Sequence, residues 1–275
     1  MSPLDAVHAV ARELDEAGVP SPRVDAELLV ADVLGVSRTE LFAMDGPLSE
    51  DDVARLRSLV KRRRAREPLA YVLGEWGFRR LVLTVDGRAL VPRPETEVVV
   101  ERCLVFLDGV AEPRVLDVGT GSGAIALSIA DEHPGARIVA VDRSDDALAL
   151  ARENLIRTGF DGRVELRRSD LFDGIEGPFD LVVSNPPYVP PEEFDSLQPE
   201  IRLYEPYEAV VGSGVWERIA RDARGVLPPG GGLVLECGDG QAVDVAAGLA
   251  ALGYEGVFCT PDLAGRDRAV EGHRP

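Results

Sequence analysis

An α/β fold with a mostly parallel sheet, preceded by a small helical unit, is predicted by three features of the 275-residue sequence. From Arg114 onward, short apolar runs of strand character alternate with helical repeats. A glycine turn follows the first of those runs directly. Residues 4–66 carry helical punctuation and almost no strand signal.

Taken in order, Leu4 to Ala17 stops at Gly18 and Val24 to Leu34 stops at Gly35, glycines placed where a helix end needs a left-handed residue. Ser49-Glu-Asp-Asp52 offers a cap and an acidic first turn to a third helix, which runs through the basic cluster Lys61-Arg-Arg-Arg-Ala-Arg66. That cluster reads either as a solvated helix face or as a patch for a partner. Trp76, Phe78, Leu81, Leu83 and Val85, with Asp86-Gly87 as the turn signal, read as a β-hairpin bridging two domains. Strands are then expected at 114–118, 137–142, 163–167, 179–184, 232–237 and 254–260, and helices at 123–132, 145–158, 214–227 and 240–251. Pro228-Pro-Gly-Gly-Gly232 makes a tight helix-to-strand connection. The expected organisation is a helical domain over 1–72, a hairpin linker over 73–93 and a catalytic domain over 94–275.

Composition narrows the chemistry. The net charge is −18, and it is uneven: residues 1–72 hold 10 basic against 13 acidic side chains, leaving 20 against 35 for the remainder. A surface that works by neutralising phosphates should be basic, so this balance counts against a nucleic-acid partner. No apolar run reaches the length of a membrane span, and Met1-Ser-Pro-Leu-Asp5 is not a basic flank leading into an apolar segment, so a cytoplasmic location is expected. Cys103, Cys237 and Cys259 have neither the spacing nor the histidine partners of a metal site; they are expected to be small buried side chains, and no metal is expected.

Val115-Leu-Asp-Val-Gly-Thr-Gly-Ser-Gly-Ala-Ile125 is a strand, a glycine turn and a helix start. Gly119, Gly121 and Gly123 permit close backbone approach to a ligand, but the same text satisfies a dinucleotide fingerprint, and a purely structural turn would read alike. Asp142 closes the next strand about 20 residues on, where a carboxylate can accept both ribose hydroxyls of a nucleoside. Asp170, after the third strand, can accept from an adenine amino group with Leu171 covering the ring. Asp117, inside the first strand, either braces the loop or meets a ligand ammonium.

The most specific feature follows the run Phe179-Asp-Leu-Val-Val183, where the chain places Asn185-Pro-Pro-Tyr188. The prolines stiffen the turn and carry no N–H. Asn185 Oδ1 and the Pro186 carbonyl can together hold the two hydrogens of a planar NH2 group, against which Tyr188 can pack, with Pro187 completing the loop. Such a nitrogen is a poor nucleophile; holding it in line with an electrophile lowers the barrier by orientation, and no strong base is needed. His8, His133 and His273 all lie away from this loop in sequence. A glycine loop, a ribose acid and an amine clamp together imply S-adenosylmethionine as methyl donor.

With these residues the chain resembles the class I amino-methyltransferases, whose members act on adenine N6, cytosine N4 or glutamine N5. Glu67-Pro-Leu-Ala-Tyr-Val-Leu-Gly74, Leu90-Val-Pro-Arg-Pro-Glu-Thr-Glu97, Arg202-Leu-Tyr-Glu-Pro206 and Asp262-Leu-Ala-Gly-Arg-Asp-Arg268 look like the release factor glutamine methyltransferases, the HemK/PrmC family. The resemblance covers nearly the whole chain and is loosest over residues 1–60. It implies a seven-stranded, Rossmann-like class I methyltransferase sheet joined by a hairpin to a helical domain that docks on the substrate. It implies methylation of the glutamine in the Gly-Gly-Gln loop of a peptide chain release factor; a monomer is expected, and the charge balance speaks against a direct nucleic-acid partner. By the same resemblance, Gly119, Thr120, Gly121, Ser122, Gly123, Asp142 and Asn185 fall on cofactor or substrate positions, and Leu171 stands where some members carry a bulkier adenine neighbour. Arg93, Pro94, Glu95 and Thr96 fall where a segment closes over the cofactor, and equally read as a helix start; Arg202 and Glu205 equally read as a structural ion pair. Two other readings stay open: an adenine N6 methyltransferase of RNA or DNA, which the charge disfavours, and a non-catalytic nucleotide-binding scaffold, which has no use for paired amine acceptors.

Overall fold

Serine caps start the amino-terminal helices of the computed structural model, which describes residues 1–275. Ser2 accepts from the Asp5 N–H and Ser49 from the Asp52 N–H, each in a reciprocal capping box, opening helices Pro3–Glu16 and Glu50–Arg64. Between them, helix Pro22–Leu34 stops at Gly35, whose φ of 64° only glycine takes freely. Val7, Leu14, Leu29, Val30, Leu56 and Val60 meet in one apolar core. Met1–Glu75 and Leu197–Tyr204 form one compact unit, so helix Pro199–Tyr204 belongs with the amino-terminal helices despite its place in the sequence.

The basic cluster divides: Lys61 and Arg64 lie on an exposed face, while Arg62, Arg63 and Arg66 are drawn into ion pairs. Arg63 is 4% exposed and bonds Asp25 at 2.7 Å and Glu200 at 2.9 Å. Arg66 grips the same Glu200 at 2.7 and 2.6 Å, Arg62 pairs with Glu67 and Arg64 with Glu13. The acids that claim these arginines lie up to 137 residues away in sequence, which is why the run looked free.

The second unit is Trp76–Ser196 with Glu205–Pro275. Strands β1 (Glu75–Phe78) and β2 (Leu81–Thr84) pair in a two-stranded sheet. Their turn falls at Arg79-Arg80, not at Asp86-Gly87. Arg79 adopts φ 50°, donates its N–H to Glu97 Oε1 at 3.0 Å and seats its guanidinium on Glu132, so partners distant in sequence override the local turn preference. Asp86 instead accepts from the Arg88 N–H at 3.0 Å, a local turn beyond β2.

The main sheet comprises β3 (Arg114–Val118), β4 (Arg137–Asp142), β5 (Val164–Arg168), β6 (Leu181–Ser184), β7 (Gly232–Glu236), β8 (Glu255–Pro261) and β9 (Asp267–His273), in the order β5-β4-β3-β6-β7-β9-β8. The first five in that order run parallel, and β9 lies antiparallel between β7 and β8. This is the seven-stranded, mostly parallel sheet implied by the resemblance. Local apolar pattern does not reveal β9, since only Ala269 and Val270 in it are apolar; hydrogen bonding from both neighbours holds it. β6 and β7 are buried throughout, as expected of strands covered on both faces. One face packs helices Glu97–Phe106 and Ala124–Glu132, the other helices Val215–Val226 and Ala242–Ala251. Chain order reverses between β3 and β6, so a crevice opens beyond their carboxyl ends, where such sheets bind ligands.

Candidate active site

Three strand ends and the turns that follow them build the site. After β3, Gly119, Gly121 and Gly123 take φ values of 74°, 56° and 86°, and the Gly119 and Thr120 N–H groups bond the Val141 carbonyl of β4. A side chain on Gly119 would meet nothing within 4 Å, so its α-carbon borders open space. After β4, Asp142 accepts from the Gly121 N–H at 2.9 Å and the Ser144 N–H at 3.0 Å. Each of its oxygens keeps a lone pair for a hydroxyl donor. Asp170, exposed, and Leu171, at φ 52°, follow β5; the Ser169 hydroxyl holds that turn with its one hydrogen shared between the Leu171 and Asp173 carbonyls.

These turns line a cavity of about 440 Å³, together with Arg93, Thr96, Asn185, Pro186 and Pro187. The glycine cradle, the acid with spare acceptor capacity and the apolar walls fit an adenosyl group carrying a charged tail. Gly119, Thr120, Gly121, Ser122, Asp142, Asp170, Leu171 and Asn185 are therefore brought together in one cavity wall. Asp117 and Gly123 lie behind that wall. Asp117 is fully buried and braces the loop by accepting from the Thr120 hydroxyl at 2.6 Å, while its Oδ1 has no partner. Burial pushes its carboxyl up to about 7, and the Asp142 charge adds to the shift.

The loop after β6 is fixed from several sides. Ser184 donates to the Val118 carbonyl at 2.6 Å, and Val189 bridges in parallel to Val211, with the Gly212 N–H on the Val189 carbonyl at 3.1 Å. A β-carbon on Gly212 would stand 2.7 Å from the Pro187 carbonyl oxygen, so the segment after helix Tyr207–Val210 presses directly on the prolines. Asn185 Nδ2 donates to Thr96 Oγ1 at 3.2 Å, which leaves Oδ1 as the open end of the amide. The Pro186 carbonyl accepts no backbone hydrogen bond. Asn185 and Pro186 both line the cavity, so the two residues of the expected clamp lie on it together. Tyr188 does not line the cavity; its carbonyl accepts from Gln241 Nε2 at 3.0 Å, its ring lies against Gly238, and burial pushes its phenol up to about 12.

Sequence reading missed Glu236, at the end of β7. It is 2% exposed, its Oε2 has no hydrogen-bond partner, and burial pushes its carboxyl up to about 7, with neighbouring Thr96 and Asn185 opposing the rise. An acid closing a fully apolar strand was the available signal. Arg93 and Glu205 pair at 2.6 Å, with Glu205 Oε2 buried and unpartnered. The stretch Arg93–Thr96 proves to be both helix start and cavity wall: Pro94–Thr96 is a 3-10 turn leading into helix Glu97–Phe106. Of the cysteines, Cys103 and Cys237 are buried and Cys259 is half-buried, all unbridged.

Comparison with known proteins agrees with this geometry. Residues 5–74 match the PrmC N-terminal domain and residues 101–198 the methyltransferase small domain. The chain is 44% identical over 268 residues to the release factor glutamine methyltransferase of Deinococcus radiodurans, covering 95% of this chain and 94% of that protein. It is 38% identical over 265 residues to the protein of the same name from Caulobacter vibrioides, covering 94% and 92%. Among solved structures, the T. thermophilus 16S rRNA N2 G1207 methyltransferase in complex with AdoMet and guanosine aligns at 19% identity and TM-score 0.55, over 73% of this chain and 50% of that one. A methyltransferase from Pyrococcus furiosus aligns at 19% identity and TM-score 0.54, over 82% of this chain and 99% of that one. These two likenesses speak to fold.

Proposed function

The chain belongs to the release factor glutamine methyltransferase family, and on that premise we propose the chemistry of its clamp: methylation of the side-chain amide nitrogen, N5, of the glutamine in a release factor Gly-Gly-Gln loop. It is an S-adenosylmethionine-dependent protein methyltransferase. The single observation that carries the choice of nitrogen is that Asn185, its Nδ2 already engaged by Thr96, and Pro186 line one cavity with the glycine loop and Asp142.

When bound, S-adenosylmethionine supplies an electrophilic methyl group. Gly119 to Ser122 would receive its charged tail and Asp142 its ribose, with Asp170 and Leu171 beside the base. Asn185 and the Pro186 carbonyl would take the two amide hydrogens. A carboxamide nitrogen shares its lone pair with its carbonyl, so orienting it supplies much of the rate, and the same two acceptors stabilise positive charge as it develops there. Loss of one N–H proton then restores the neutral amide.

We assign residues 1–72 to docking of the release factor and 94–275 to transfer, with 73–93 as linker, acting as a monomer in the cytoplasm on protein rather than nucleic acid. The charge of −18 supports the last point. No helix is long and apolar enough to cross a membrane. The test is incubation with methyl-labelled S-adenosylmethionine and a release factor, either wild type or with its loop glutamine changed to alanine. Label should enter the wild-type factor alone; equal label on both, or salt-sensitive label on RNA or DNA, would refute the assignment.

A further inference from the structure

The Thr96 side chain, at the edge of the cavity, and the Glu236 side chain, outside it, are both buried against Asn185 and are not needed by the sheet. Thr96 is 4% exposed and closes the Pro94–Thr96 turn; Glu236 is 2% exposed and ends β7. The register pairs Ser184 of β6 with Leu235 of β7, so Asn185 and Glu236 are the next residues along two adjacent strands. Asn185 Nδ2 donates to Thr96 Oγ1 at 3.2 Å, and the Glu236 carboxylate beside them, which both side chains help to keep ionised, has a buried Oε2 without a hydrogen-bond partner and so is open to the Thr96 hydroxyl.

A carboxylate only accepts, and this gives the chain of hydrogen bonds one direction. The hydroxyl of Thr96 has a single hydrogen. Spent on Glu236, it leaves only lone pairs facing Asn185, and only the NH2 end of the amide satisfies them. A flipped amide would set Oδ1 against those lone pairs and the carboxylate, while aiming its NH2 at the cavity, where donor would oppose donor. The two ends of an asparagine amide are nearly the same size, so shape alone does not choose between the orientations.

We infer that Thr96 and Glu236 are positioning residues that lock the Asn185 amide with Oδ1 toward the substrate amine. The inference rests on the reading above that Asn185 receives the glutamine amide.

The lock requires the ionised acid. A protonated Glu236 could donate toward Thr96 or toward Asn185 Oδ1, and both amide orientations would be satisfied. Burial raises this carboxyl to about 7, Glu95 from the Pro94–Thr96 turn adds to the rise, and Arg268 from β9 opposes it; Tyr188 also faces it, as a neutral phenol. Because the ionised form holds the lock, turnover should be full above this value and decline below it.

The test compares Thr96→Val, Thr96→Ser, Glu236→Gln and Asn185→Ala in the full chain, on a release factor substrate. Alongside kcat and KM, calorimetric S-adenosylmethionine affinity and thermal midpoint are measured for each. Thr96→Val should lower kcat by roughly 10- to 100-fold, with cofactor affinity and KM changed by no more than about twofold. Thr96→Ser, which keeps the hydroxyl, should recover to within about threefold of wild type. Glu236→Gln should lower kcat and remove the decline below pH 7, whereas Asp117→Asn, which changes the other acid raised to this range, should leave that decline in place. Equal kcat for the valine and serine variants, or a decline that survives in Glu236→Gln, would overturn the lock if Asn185→Ala is inactive. Undiminished methylation by Asn185→Ala would instead overturn the function on which the lock rests.

Discussion

Asp142 illustrates what one side chain does at this site. Its two oxygens already hold the Gly121 and Ser144 N–H groups, so it shapes the glycine turn before any ligand enters, and its remaining lone pairs face the cavity. Asp142→Ala should therefore weaken S-adenosylmethionine binding by roughly 10- to 100-fold, the range for lost hydrogen bonds to a charged acceptor. Titration calorimetry reads this directly, and an unchanged affinity would remove Asp142 from the cofactor site. Asp142 and Asn185 were legible in the sequence because each directly follows an apolar strand and the strand's end sets its place. Thr96 and Glu236 were not: Thr96 reads as part of a helix start, and nothing local says that the end of β7 lies beside the end of β6.

At the next level up, a turn works because neighbouring segments press on it. The Asn-Pro-Pro-Tyr loop is held by its own prolines and by the bridge from Val189 to Val211, with Gly212 packed against Pro187. A β-carbon at Gly212 would stand 2.7 Å from the Pro187 carbonyl oxygen, a contact that backbone must move to relieve. Gly212→Ala should cut kcat by roughly tenfold or more through displacement of the amine acceptors, exceeding any loss of cofactor affinity. The control is Gly225→Ala, within helix Val215–Val226 with open space at the new methyl, which should gain about 0.5–1 kcal/mol and leave kcat alone. Steady-state kinetics and denaturant unfolding separate the two effects. The alternation of strands and helices from 114 onward was legible because each buried strand is an unbroken apolar run. The hairpin turn was misplaced because Arg79 draws on Glu97 and Glu132, partners that lie outside any local window.

Over the chain as a whole, segments far apart in sequence are joined by charge. Within the amino-terminal unit, Arg63 satisfies Asp25 from helix Pro22–Leu34 and Glu200 from helix Pro199–Tyr204, all three largely buried. Arg63→Met would keep the volume but strand the buried Asp25 and leave Glu200 to Arg66 alone, so it should destabilise this unit by about 3–5 kcal/mol. Hydrogen exchange over residues 3–64 is the measurement, and retained protection there would deny the ion pairs that role. Sequence by itself was sufficient for the layered α/β architecture, the glycine loop and the placing of Asp142 and Asn185 at strand ends beside it, because each depends on periodicity, backbone freedom or position at a strand's end, all local properties of the chain. Strand β9, the fate of the arginine cluster, the withdrawal of Tyr188 from the cavity wall and the meeting of Asn185 with Thr96 beside buried Glu236 emerged only on folding, because each depends on which distant segments become neighbours and which buried charges must then find partners.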